Sequence, residues 1–235
     1  MKNANWTFLK TLLALAGGMA IHFPAAEPPA PSSQAPNTLV PAGDSFISDA
    51  MGQPASSSGW TEQIGDDLKK GTTEAGFSLG ASVGAHIFGG TDTHDFALAK
   101  VLVGRVISNE LGNDRWYRGY WELLGEVFGG GQFKPGEAYV VGLTPGLRYD
   151  FATGSRWVPF FDAGAGVTAT DISRPDLGGT FQFNLQTGPG LHWFVEKNLA
   201  ITMQYRFLHI SSAGTEHPNN GVNTSVFYLG MSWLF

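Results

Sequence analysis

A chain of 235 residues with a formal charge of −6 has room for one substantial domain plus a tail, and it lacks the broad basic field that a grip on nucleic acid needs. Cysteine is absent, which excludes disulfides, thiolate metal sites and a cysteine nucleophile, and is compatible with life in an oxidising envelope compartment.

At the N-terminus Lys2 and Lys10 precede the apolar run "TLLALAGGMAI", with small residues near Ala20 and Ala26 that suit a cleavage site. Residues 1–26 therefore read as a secretory signal peptide. Residues 27–58 are rich in Pro, Ala and Ser, a composition that buries no core and reads as a disordered leader. In residues 59–73, "GWTEQIGDDLKKG" spaces Trp60, Ile64 and Leu68 four apart, as a short amphipathic periplasmic helix and linker would. After the signal no apolar run reaches the roughly 20 residues of a membrane helix, so any membrane crossing must use strands.

Residues 74–235 repeat a period of two between turn-rich breaks. Phe77, Leu79, Ala81 and Val83 alternate with Ser78, Gly80, Ser82 and Gly84. In later segments Leu143 and Leu147 oppose Thr144 and Arg148, and Phe183 and Leu185 oppose Asn184 and Gln186. The segment around residues 96–107 is less clean, because Lys100 shares parity with Phe96, Leu98 and Leu102. Eight such segments, apolar on one face and polar or glycine-rich on the other, predict an all-β fold. That fold is an eight-stranded antiparallel transmembrane β-barrel, its interior packed with side chains. A water-soluble sandwich would alternate in the same way, and the signal peptide and the C-terminal "YLGMSWLF" decide between them. Its Tyr228, Gly230, Trp233 and Phe235 resemble the terminal signal that outer-membrane barrels present to the assembly machinery.

The seventh segment places Ile201, Met203, Tyr205 and Phe207 on the lipid-facing parity, and the same parity continues through His209 and Ser211. With both termini periplasmic, this strand runs outward and its end lies near the outer-leaflet interface. A serine beside a base is the nucleophile arrangement of ester hydrolysis, here at the depth of lipid ester bonds. Glu122, Glu126, Arg148, Asp150 and Asp162 have the interior parity and read as a charge-balancing network. His86, His94 and His192 show no metal-ligand spacing, and "AGAGV" after Asp162 is not a nucleotide loop, since no helix follows.

His209, Ser211, Ala213, Gly214, Pro218, Asn219 and Gly221 form a pattern H-x-S-x-A-G followed by P-N and G. It resembles the motif of the outer-membrane lipid A 3-O-deacylases, the PagL family. The resemblance implies Ser211 as nucleophile, His209 as base, and Gly214 and Asn219 as the oxyanion hole. Two positions depart from the family: Asn223 stands where its acid is expected, and Ser212 stands where it has asparagine. Asn223 can still accept a hydrogen bond from the imidazole, but offers no charge to offset an imidazolium.

The resulting expectation is a serine esterase of the bacterial outer membrane that releases the ester-linked 3-position acyl chain of lipid A, without metal or other cofactor. Expected partners are lipid A or lipopolysaccharide, outer-membrane lipid and the barrel assembly machinery, with no nucleic acid; a homodimer is left open. The alternatives are a non-catalytic barrel for adhesion or envelope integrity, and a different lipid esterase such as a phospholipase.

Overall fold

The structure, a computed structural model, describes residues 68–85 and 93–235. The expected signal peptide (1–26), the leader (27–58), His86 and most of the expected helix of 59–73 lie outside the described residues. The part of that last segment that is described, from Leu68 to Thr72, is a turn leading into the first strand.

Eight strands follow: β1 (Thr73–Gly84), β2 (Asp95–Val106), β3 (Gly119–Lys134), β4 (Ala138–Phe151), β5 (Trp157–Thr170), β6 (Phe181–Glu196), β7 (Leu199–Ser211) and β8 (Val222–Leu234). Each pairs antiparallel with the next, and β1 pairs with β8 to close the barrel. Closure leaves no sheet edge, so every ladder group can be satisfied without water, which is the condition for crossing a bilayer with strands. No helix among the described residues is long and apolar enough to cross a membrane.

The pleat sends odd residues outward on most strands. Leu79, Val103, Leu143 and Leu229 are 58, 61, 50 and 60% exposed, an apolar surface that only lipid can cover at low cost. Aromatic pairs gather toward the end that holds the chain terminus: Trp157 stacks on Trp193 with ring centroids 5.5 Å apart, and Trp121 meets Tyr149 edge-on at 5.0 Å. Such girdles mark the membrane interface.

The interior is layered rather than uniformly polar, which corrects the expectation of a polar lumen. An apolar plug of Phe96, Leu98, Phe128, Leu208, Ile210, Val222 and neighbours fills one end, and Leu68, Val106, Val158, Phe194, Ala200 and Leu234 fill the other. Between them lie the charges. Arg206 donates to Glu126 at 2.7 Å and to Asp162 at 2.9 Å, and Arg148 donates to Glu74 at 2.7 Å and to Glu122 at 3.3 Å. Lys100 donates to Glu126 at 3.2 Å and to Gln204 at 2.5 Å. The five interior charges expected from parity are all buried, and Glu74, Lys100 and Arg206 join them.

This layering explains the mixed parity of β2. Phe96 and Leu98 belong to one plug, Lys100 to the charged middle and Val106 to the other plug, all on one inward face. A buried lysine is tolerated there because acceptors surround it. Gly80 makes room beside it: a Cβ at that position would lie 2.5 Å from the ring of Tyr228, over which the Lys100 ammonium sits at 4.5 Å from the centroid.

Candidate active site

The ladder aligns the site before any loop is involved. His209 on β7 lies directly opposite Asn223 on β8 and, on its other side, opposite Leu185 on β6; Ser211 lies opposite Phe183. Opposed residues on one face have Cβ atoms about 4.5–5.5 Å apart, and next-but-one residues along a strand about 7 Å, so all three polar side chains come within reach on the outer wall.

They are joined in series. His209 Nδ1 lies 2.6 Å from Asn223 Oδ1, and His209 Nε2 lies 3.1 Å from Ser211 Oγ. The asparagine carbonyl can only accept, so it holds the proton on Nδ1 and leaves Nε2 as the acceptor for the serine hydroxyl. Asn223 is 2% exposed although its parity is outward, because the imidazole lies over it. Gly221 supports the same ring. Its φ of +81° is strained for any L side chain, and a Cβ there would be 3.0 Å from His209 Cε1.

The loop of residues 212–221 is tied to the strand end by Ser212. Ser212 N–H donates to Asn219 Oδ1 at 2.8 Å, and its hydroxyl donates to the Glu216 carbonyl at 3.0 Å. Ser212 is thus fully buried in the turn, pointing away from Ser211. Ala213 and Gly214 carry the chain through left-handed backbone, at φ of +51° and +84°, and Thr215 closes the turn on the Ser212 carbonyl.

A second loop, residues 171–180, braces the first. The Asp176 carbonyl accepts from the amides of Asn220 at 2.9 Å and Gly221 at 3.3 Å, and Leu177 forms a β-bridge with Asn219. Asp176 is in turn fixed through its carboxylate, which lies 2.9 Å from His94 Nε2, while His94 Nδ1 lies 2.7 Å from Gln132 Oε1. This relay of buried polar groups ties β3 and the start of β2 to the site loop. Parity could not have shown it, because His94 and Asp176 lie in connections 82 residues apart.

Beside the serine and histidine the outer wall is hollowed. A groove of about 650 Å³ is lined by Ser211, His209, Asn219, Leu185, Phe207 and the small residues Ala163 and Thr187, among others. Ala163 lies opposite Thr187, and Thr187 opposite Phe207, so the shallow stretch is a row across three strands one step inward from His209. Thr187 turns its hydroxyl to the Asp162 carbonyl at 3.0 Å, which leaves the methyl to the groove. Of the expected site residues, His209, Ser211 and Asn219 line this groove, Asn223 lies behind the imidazole, and Gly214 stands in the exposed turn outside the lining. No group of His, Asp and Glu among the described residues could hold a metal ion.

The fold and this wall together define an outer-membrane β-barrel that carries a hydrogen-bonded serine–histidine–asparagine series facing lipid. Residues 105–232, more than half of the chain, match the family model of Lipid A 3-O-deacylase (PagL), and the chain belongs to that family. Lipid A deacylase PagL of Pseudomonas aeruginosa (strain PAO1) is 32% identical over 114 residues, 47% of this chain and 62% of that protein. The match thus spans less than two thirds of that relative's length. Among solved structures, that of the outer membrane enzyme PagL covers 65% of this chain and 97% of its own at 22% identity and a TM-score of 0.44. Neisserial surface protein A covers 70% and 96% at 17% identity and a TM-score of 0.50, a likeness of fold alone.

Proposed function

We propose that this protein is a serine esterase that releases the acyl chain ester-linked at the 3-position of lipid A. The observation that carries the reading is the series from Asn223 through His209 to Ser211 on the lipid-facing wall, opening onto an apolar groove. Family membership supplies the substrate class.

In this reading the acyl chain lies along Leu185, Phe207 and the shallow row of Ala163 and Thr187. Ser211 Oγ attacks the ester carbonyl carbon while its proton passes to His209 Nε2. Asn223 keeps the imidazole in the tautomer that can take it. The oxyanion is met by the side-chain amide of Asn219, whose Oδ1 is occupied by Ser212 N–H so that its N–H donors are free, together with the backbone amide of Gly214. His209 then protonates the departing sugar oxygen, leaving an acyl-serine. Water, deprotonated by His209, attacks that ester and frees the 3-hydroxy fatty acid and the serine. Each proton taken is returned, and no cofactor enters.

The route to the site follows from the N-terminal signal and from the C-terminal aromatic pattern as a mark for the barrel assembly machinery. The test is a mass spectrum of lipid A from cells with and without the protein. Loss of one ester-linked 3-hydroxy acyl chain is expected with wild type and absent with Ser211→Ala. Unchanged lipid A, or release of fatty acid from phospholipid instead, refutes the assignment.

A further inference from the structure

The groove does not end at the serine. Asn220, one of its lining residues, also lines a second cleft of about 530 Å³, bounded by Arg174, Pro175, His217 and Pro218. The two hollows therefore share a wall, one facing lipid and the other at the rim of the barrel.

Charge makes this cleft distinctive. The chain is acidic overall, and at the rim that carries the site the described residues include two cations, Lys134 and Arg174. Lys134 is paired with Asp95 at 3.4 Å. Arg174 is exposed, and no carboxylate among the described residues lies within ion-pair distance of it. The remaining surface cations of the barrel, such as Arg105, Arg156 and Lys197, stand at or near the opposite rim, beside the chain terminus. The nearby carboxylates are engaged elsewhere. Asp176 is held by His94, Asp171 accepts from Tyr139 N–H at 2.7 Å, and Glu216 fills the space over Gly179.

The cleft is also held in place. Asn220 Nδ2 donates to the Pro175 carbonyl at 2.9 Å, and the buried Asp176, two residues from Arg174, binds the amides of Asn220 and Gly221. The segment presenting the guanidinium is thus fixed to the loop that carries the catalytic motif.

We infer that this cleft is an anion subsite for a phosphate monoester on the sugar whose 3-ester enters the groove, with Arg174 as its charged fork and His217 and Asn220 as hydrogen-bonding walls. This rests on the lipid A reading and deepens it. Arg is the side chain suited to the task, being permanently charged and able to offer two parallel N–H donors to phosphate oxygens. The subsite orients the sugar so that one particular ester meets Ser211, which is a requirement for removing one acyl chain among several.

The test measures binding, so it does not depend on turnover. In the Ser211→Ala background, in detergent, affinities are determined for bisphosphorylated lipid A and for its 1-dephosphorylated form. The phosphorylated ligand is expected to bind about tenfold more tightly, the equivalent of one charge-assisted contact. Arg174→Gln is expected to bring that ratio close to one, Arg174→Lys to an intermediate value, and Arg156→Gln, at the opposite rim, to leave it intact. Heat-modifiable gel migration verifies that each variant is folded. Equal affinity for the two ligands in the Arg174-bearing protein, or a ratio that survives Arg174→Gln, overturns the subsite. Inorganic phosphate binding as tightly as the lipid overturns its assignment to a lipid headgroup. Phosphate preference without fatty acid release by the Ser211-bearing protein refutes the esterase and upholds the subsite, and release without preference does the reverse.

Discussion

Asn223 is neutral, and its geometry gives that a chemical meaning. A neutral carbonyl at 2.6 Å from Nδ1 orients the ring but, in the proposed reaction, does not compensate the positive charge on His209 when it takes the serine proton. Asn223→Ala is therefore expected to slow fatty acid release by less than Ser211→Ala, since orientation can be partly kept by the Gly221 wall while the proposed nucleophile has no substitute. Asn223→Glu is expected to maintain or raise the rate, because a carboxylate offsets charge developing on the ring. A rate for Asn223→Ala equal to wild type would remove this residue from the site. The groove makes a separate prediction. Ala163→Phe places a ring in the shallow row and is expected to weaken selection of long acyl chains by about tenfold or more in kcat/KM, the scale of filling an apolar pocket, while short-chain esters are spared.

At the scale of elements, two loops and one strand end make the site, and the connection between them is polar and buried. His94 and Asp176 are 2% and 1% exposed and face each other at 2.9 Å. His94→Ala takes a hydrogen-bond partner from the buried Asp176 carboxylate, a loss that costs about 1–3 kcal/mol. Because Asp176 holds Asn220 and Gly221 through its backbone, the expected result is faster proteolytic cutting in residues 212–221 and a lower kcat, with the barrel itself intact on a heat-modifiability gel. Equal loss of barrel and loop would show that the pair supports the whole fold rather than the site. Ser212 acts on a smaller scale, since its hydroxyl staples the turn. Its replacement by Ala is expected to reduce activity modestly, without abolishing it.

For the whole molecule, stability is divided between an exterior read by lipid and an interior read by packing and charge. Leu143 is half exposed near the middle of β4, so Leu143→Arg sets a charge against hydrocarbon at a cost of about 2–4 kcal/mol. Arg206 is expected to be more sensitive to truncation than to apolar replacement. Its alanine variant takes from Glu126 and Asp162 the cation closest to each, leaving them Lys100 at 3.2 Å and Arg148 at 3.6 Å, and urea unfolding in detergent is expected to register a loss of about 3–5 kcal/mol. If Arg206→Ala unfolds at the wild-type midpoint, the central network is not what holds the barrel closed.

Strand count, the lipid-facing parity and the positions of His209, Ser211 and Asn223 were all legible in the chain, because a period of two is a local property and adjacent strands of a barrel pair in order. The interior charges on β3, β4 and β5 were legible for the same reason. Parity could tell inside from outside, yet it could not tell depth, so the two apolar plugs and the inclusion of Lys100 among charged partners appeared only when eight strands were set in register. Depth depends on the stagger of neighbours, which no single segment encodes. The pairing of His94 with Asp176, the bracing of Asn220 and Gly221, and the shared wall between the groove and the Arg174 cleft lie in connecting loops without periodicity. Those contacts were decided by tertiary structure alone, since closure of the barrel is what brings residues about 80 positions apart to the same rim.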